Sequence, residues 1–295
     1  MFLAGVSPAA IARQDSGASH GEMVKLYVSV LDIKGHPVTD LKADDIRVIE
    51  NGHEQKVVQL SQEHIEPLTI GLLIDVSGSR RDEFPTAERT AANEFLQRSL
   101  RPGDKAFVLT FSEGVHIAQE VTSDPAPVLK AIEEATSVRP RGSTALFDAI
   151  SFACQKLLAS ETGRNVLLII SDMQDNASRV RLDTAIQEAQ RQQASLWTID
   201  IDSFYYSVHK KESIVGWRSA RDLAGQTGGQ AYLVDKRKDL DTAFASAAEA
   251  VQSTYLLQYA STNLARDGRF RKIKVEVTRQ HCEVLAPAGY YAPKQ

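Results

Sequence analysis

Cysteine is nearly absent from this chain. Its two residues, Cys154 and Cys282, stand far apart, one in a helical and one in a strand-like pattern. That spacing excludes a disulfide framework and a cysteine zinc site. Seven histidines are scattered singly, so no pair shares the face that a histidine metal site requires. Long apolar runs are missing too: nothing approaches the roughly 18 residues that cross a bilayer, and no membrane span is expected. The formal net charge of −4 carries no long run of one sign. A nucleic-acid partner is therefore not expected, because its electrostatic footprint is absent.

What is present divides into two periodicities. Residues 1–22 form an N-terminal extension or the remnant of a signal peptide, since Ala10-Ile11-Ala12 has the small-x-small form of a cleavage site. From 23 to 64 apolar and polar residues alternate, with Asn51-Gly52 between "IRVIE" and "QKVVQL" as a hairpin signal. Residues 67–252 read differently. The runs "LTIGLLID", "KAFVLTFS", "NVLLIISD", "SLWTIDI" and "QAYLVD" are nearly continuous in apolar residues and are separated by amphipathic segments, the pattern of a parallel sheet covered by helices. Helices are expected over 83–100, 126–137, 146–161, 179–193, 217–227 and 239–252. "VHIAQEVT" follows its predecessor too closely for a crossover and is expected as an antiparallel edge strand. Period two returns over 254–292. Neither β segment buries a face alone, so both should form one small antiparallel β domain. The fold class is thus α/β, a doubly wound, Rossmann-like, mostly parallel sheet inserted in a β domain made by both termini.

Residues just past the carboxyl ends of neighbouring strands in such a sheet converge on one crevice. "LLIDVSGS" brings Asp75, Ser77 and Ser79 there, "RPRGSTALFDAI" brings Thr144, and "LLIISDMQDN" brings Asp172. All are oxygen donors, which suits a hard cation such as Mg²⁺ or Mn²⁺ and disfavours zinc and copper. An ion held mainly by neutral hydroxyls stays electrophilic and favours an anionic oxygen from outside.

The set Asp75-x-Ser77-x-Ser79, Thr144 and Asp172 resembles the metal-ion-dependent adhesion site (MIDAS) of von Willebrand factor type A domains. The resemblance covers about residues 68–252, and the whole chain is similar to bacterial proteins in which this domain lies between short β segments. It implies that the serines and threonine touch the ion, that the aspartates act mostly through water, and that a partner protein's Asp or Glu completes the shell. It also implies export, to the periplasm or the medium. One departure is Met173, where the family often has Gly after the last aspartate; Gly would ease a tight turn.

Other residues are assigned blander roles. Asp175 is a weaker ligand candidate than Asp172, and Asp148 is expected as a first-turn helix carboxylate. Asp200 and Asp202 are expected at a solvated strand end. Tyr205, Tyr206 and Lys210 suit a partner rim, and Arg139 and Arg141 lie in an exposed loop beside Thr144. An enzyme is not expected, because a serine nucleophile needs an adjacent base and the three loops contain no histidine. The alternatives are a scaffold whose ion is structural or vestigial and, less favoured, a metal-assisted hydrolase.

Overall fold

Strand β5, Leu68–Asp75, is buried at every residue, as its unbroken apolar run requires of a strand covered on both faces. The computed structural model describes residues 23–62, 66–80, 85–201, 210–234 and 237–294. The N-terminal extension, Asp202, Tyr205, Tyr206 and the side chain of Lys210 lie outside the described residues. β5 pairs in parallel with β6 (Lys105–Phe111) on one side and β8 (Arg164–Ser171) on the other. β9 (Ala194–Ile201) and β10 (Ala231–Val234) extend the sheet beyond β8, and β7 (Val115–Thr122) closes the other edge antiparallel to β6. The order is β10-β9-β8-β5-β6-β7, with "VHIAQEVT" at the edge as its position in sequence requires.

Helices cover both faces. Ala91, Ala92 and Phe95 of α1 (Pro85–Ser99), Ile132 of α2 (Pro125–Ser137) and Phe244 of α6 (Arg237–Gln252) pack on Ile70, Leu72 and Ile74. Leu146 of α3 (Leu146–Phe152), Ala185 of α4 (Leu182–Arg191) and Leu223 of α5 (Lys210–Thr227) pack on the opposite face with Leu73 and Leu167. Three helices differ from expectation. α3 gives way to a π-helical turn at Ala153–Leu157 instead of continuing to 161, α4 begins only at Leu182, and α5 begins at Lys210, a full two turns early. The early start of α5 runs through "KKESIVG", whose polar and charged residues hide the helical period.

The outer strands form two four-stranded sheets around a third core. β1 (Met23–Leu31) and β4 (Val57–Ser61) flank β11 (Tyr255–Ala260), with β13 (Glu283–Leu285) beyond β1. In the other sheet β2 (Ile46–Glu50) lies between β3 (His53–Gln55) and β12 (Phe270–Val277), with β14 (Gly289–Tyr291) outside. Each sheet therefore takes two strands from before the α/β unit and two from after it. The Asn51-Gly52 turn is present, with φ of 49° and 87°. The run after it is not one strand: the chain changes sheet at Lys56, so β3 and β4 serve different sheets.

Glu50 fastens this unit. It is buried in β2 and accepts hydrogen bonds from Tyr259 (2.8 Å), Ser261 (3.0 Å) and Tyr290 (3.3 Å), all from the C-terminal segment. Glu50→Ala is expected to destabilise the β unit by about 3 kcal/mol, since three donors lose a charged acceptor. Glu50→Gln should lose less. Urea unfolding with amide exchange checks both, and the loss should appear in β1 and β11 while β5 and β8 stay protected.

Candidate metal centre

Asp75 is the last residue of β5 and Ser171 the last of β8, and the two strands are in register, Ile74 opposite Ile170. Strand pairing alone thus brings the Asp75 and Asp172 loops side by side. Asp75 is buried. One carboxylate oxygen accepts the Ser77 N–H at 2.8 Å and the other accepts the Ser171 hydroxyl at 2.5 Å. The turn this makes carries Ser77 and Ser79 with their hydroxyl oxygens 3.1 Å apart.

The Thr144 loop is stitched to both neighbours through the backbone. Arg141 N–H donates to the Val76 carbonyl (3.0 Å) and Gly78 N–H to the Gly142 carbonyl (2.9 Å). On the other side Thr144 N–H donates to the Asn176 side chain (2.7 Å), while the Thr144 carbonyl accepts Asn176 N–H (3.0 Å) and Ala177 N–H (2.9 Å). Thr144 and Ser77 are buried beneath this lattice, and Ser79 is half-buried. Asp172 is buried as well. Its Oδ1 accepts Gln174 N–H at 3.2 Å, but its Oδ2 has no hydrogen-bond partner among the described residues.

Burial is the main force that pushes the Asp75 carboxyl above the usual carboxylate range, and the neighbouring Asp172 charge adds to it. Arg80 and the Ser171 and Ser77 hydrogen bonds oppose the rise. Two carboxylates out of water, one with a bare buried oxygen, are short of positive charge. A divalent cation fits that deficit, and the hydroxyls supply oxygens suited to a hard ion. Among the described residues no three His, Cys, Asp or Glu side chains form a cluster.

The remaining candidates fall elsewhere. Asp175 accepts the Ser178 hydroxyl and Phe147 N–H at the start of α3, and Asp148 accepts Arg179 N–H (3.0 Å) and Val180 N–H (2.8 Å). Both brace the loop between β8 and α4. Asp200 overturns the expectation of a solvated strand end: it is buried, because β8 and β10 flank it at Ser171 and Leu233. Arg139 and Arg141 are exposed. Ser171 and Asn176 escaped the sequence reading, although the first ends an apolar run and the second lies in the loop quoted for Asp172.

Residues 70–174 match the family model of the von Willebrand factor type A domain. The α/β unit has the von Willebrand factor type A fold. Among solved structures the chain is similar to proximal thread matrix protein 1 from the mussel byssus, whose structure has a zinc-occupied MIDAS motif. Identity there is 15%, coverage is 68% of this chain and 49% of the other, and the TM-score is 0.53. It is also similar to the pilus adhesin SpaC from Lactobacillus rhamnosus GG in an open conformation, at 11% identity, 84% and 48% coverage and a TM-score of 0.52. The chain spans about half the length of these relatives, and the likeness concerns fold. No curated protein matches the chain in sequence.

Met173, which takes the place of the glycine expected in this domain, has φ of 57° and is buried against the α3–α5 core. The turn does ask for a left-handed residue, and the side chain offsets the strain by packing. Gly216 of α5 lets the helix close on the same turn, since a Cβ there would lie 3.0 Å from the Asp172 carbonyl oxygen. Met173→Ala should destabilise the domain by about 2–4 kcal/mol through lost packing. Met173→Gly should destabilise it by about 1 kcal/mol less, because glycine relieves the left-handed strain. Thermal unfolding of the two variants tests the order; a more stable alanine variant contradicts it.

Proposed function

We propose that this protein is a metal-dependent protein-binding module in which Ser77, Ser79 and Thr144 present hydroxyls to Mg²⁺ or Mn²⁺ while Asp75 and Asp172 balance its charge. The bare, buried Oδ2 of Asp172 beside Asp75 carries this reading. When bound, the ion supplies an electrophilic position that an Asp or Glu carboxylate of another protein completes. The protein's own part is positional. Asp75 shapes the serine turn through Ser77 N–H, Ser171 holds the second Asp75 oxygen, and Asn176 fixes the backbone from which Thr144 projects.

A binding role is favoured over catalysis because none of the three loops contains a histidine to serve as base. The likeness in fold to a pilus adhesin and a byssal matrix protein supports adhesion or assembly, and with it a place outside the cytoplasm. No helix among the described residues is long and apolar enough to cross a membrane. The deep burial of Ser77 and Thr144 favours a second reading, in which the ion serves the fold alone. Capture of a partner that requires the metal separates the two.

Calorimetric titration with Mg²⁺, Mn²⁺ and Zn²⁺ tests the site. Asp75→Ala and Asp172→Ala are each expected to weaken binding about 10- to 100-fold, the usual consequence of losing a residue that orients or balances a metal's ligands. Unchanged affinity in Asp75→Ala would rule the site out. For the ligand, Thr144→Ala is expected to abolish partner capture even at saturating metal. Changing the partner's acidic residues singly to Asn or Gln should identify one whose loss removes the Mg²⁺-dependent complex.

A further inference from the structure

Directly behind the three loops lies a charged pair that this function does not use. Arg80 follows Ser79, yet its side chain is only 9% exposed and one guanidinium nitrogen pairs at 2.5 Å with Glu88, itself 7% exposed. Glu88 stands in the first turn of α1, where the helix terminus favours a carboxylate. The second nitrogen, Nη1, is buried without a hydrogen-bond partner among the described residues. A cavity of about 30 Å³ is lined by Asp75, Val76, Arg80, Glu88 and Thr136 with apolar neighbours, so Arg80 and Asp75 border one space.

Arginine does not shed its proton in proteins, so a permanent positive charge is buried beside a site suited to a divalent cation. Two aspartates by themselves neutralise such an ion and leave little field to attract a third carboxylate. Arg80 changes that balance. We infer that Arg80 is a fixed counter-cation of the site, which restrains its affinity for a divalent ion when no ligand is present and biases the loaded site toward an anionic ligand. The inference rests on the metal-dependent reading above. In the metal-free protein the same charge offsets the repulsion between Asp75 and Asp172, which keeps the loops in their arrangement. Glu88 shares the charge of Arg80 and so sets how much of it the site feels.

The two members of the pair should therefore act in opposite directions, which a merely structural ion pair would not do. Calorimetric Mg²⁺ titration of the full chain, with melting temperatures in chelator and in Mg²⁺, reads this. Arg80→Met is expected to tighten Mg²⁺ binding by about 10-fold or more, the order expected when a like charge leaves a buried site. It should also enlarge the Mg²⁺-induced rise in melting temperature. Glu88→Gln, which leaves the arginine charge unshared, is expected to weaken binding. Should Arg80→Met fail to fold, the double variant Arg80→Met with Glu88→Gln must bind Mg²⁺ more tightly than Glu88→Gln alone. Shifts of both single variants in the same direction, or in neither, overturn the inference while leaving the metal site standing. Absence of Mg²⁺ binding to the unmodified protein overturns the metal reading and this inference with it.

Discussion

The Asp75 carboxylate, buried at the end of the central strand and gripped by Ser77 N–H and the Ser171 hydroxyl, is the constraint to which the surrounding loops are fitted. Its first hydrogen bond bends the chain so that Ser77 and Ser79 face the same point. Its second ties that turn to the end of β8, which delivers Asp172 alongside. The Thr144 loop then closes on both through backbone bonds to Val76, Gly78, Asn176 and Ala177. A buried carboxylate needs such partners to stay charged. Even so, the neighbouring Asp172 leaves the pair short of positive charge, and Arg80 supplies only part of it.

Placement of the β unit complements this arrangement. Arg164 opens β8 at the edge of the sheet opposite the candidate site, and it is buried, donating to the Val251 carbonyl at 2.6 Å and to the Thr254 hydroxyl at 2.7 Å. Its guanidinium also lies 5.9 Å from the centre of the Tyr27 ring. β8 therefore runs from the junction with the β unit to the edge that carries the candidate site, about 23 Å at a strand's rise per residue. The β sheets brace the end of the domain opposite the candidate site. Because each sheet takes strands from both sides of the inserted domain, the two chain crossings are held together at that junction.

Much of this was legible in the sequence, for identifiable reasons. Burial on both faces leaves an unbroken apolar run, so β5, β6, β8 and β9 could be read directly, and polar residues placed just after such runs mark a crevice in a parallel sheet. Asn51-Gly52 was legible because few residue pairs accept two positive φ values in succession. What escaped reading depends on contacts between distant segments. Ser171 and Asn176 gain their roles only when β8 lies beside β5 and the Thr144 loop lies over both. Asp200 resembled a solvated strand end until β10 covered it. Nothing in "SGSRRDE" singles out Arg80, whose burial goes with its pairing to Glu88 on α1.

The central claim is that the two buried carboxylates and three hydroxyls hold one divalent cation at this edge of the sheet. Anomalous diffraction from crystals grown with Mn²⁺ tests it most directly. The account predicts a single strong peak at about 2.2 Å from the hydroxyl oxygens of Ser77 and Ser79, with Thr144 beside it and the Asp75 and Asp172 carboxylates around it. A protein crystallised in excess Mn²⁺ that shows no peak among these residues, or a peak bound elsewhere, would contradict it.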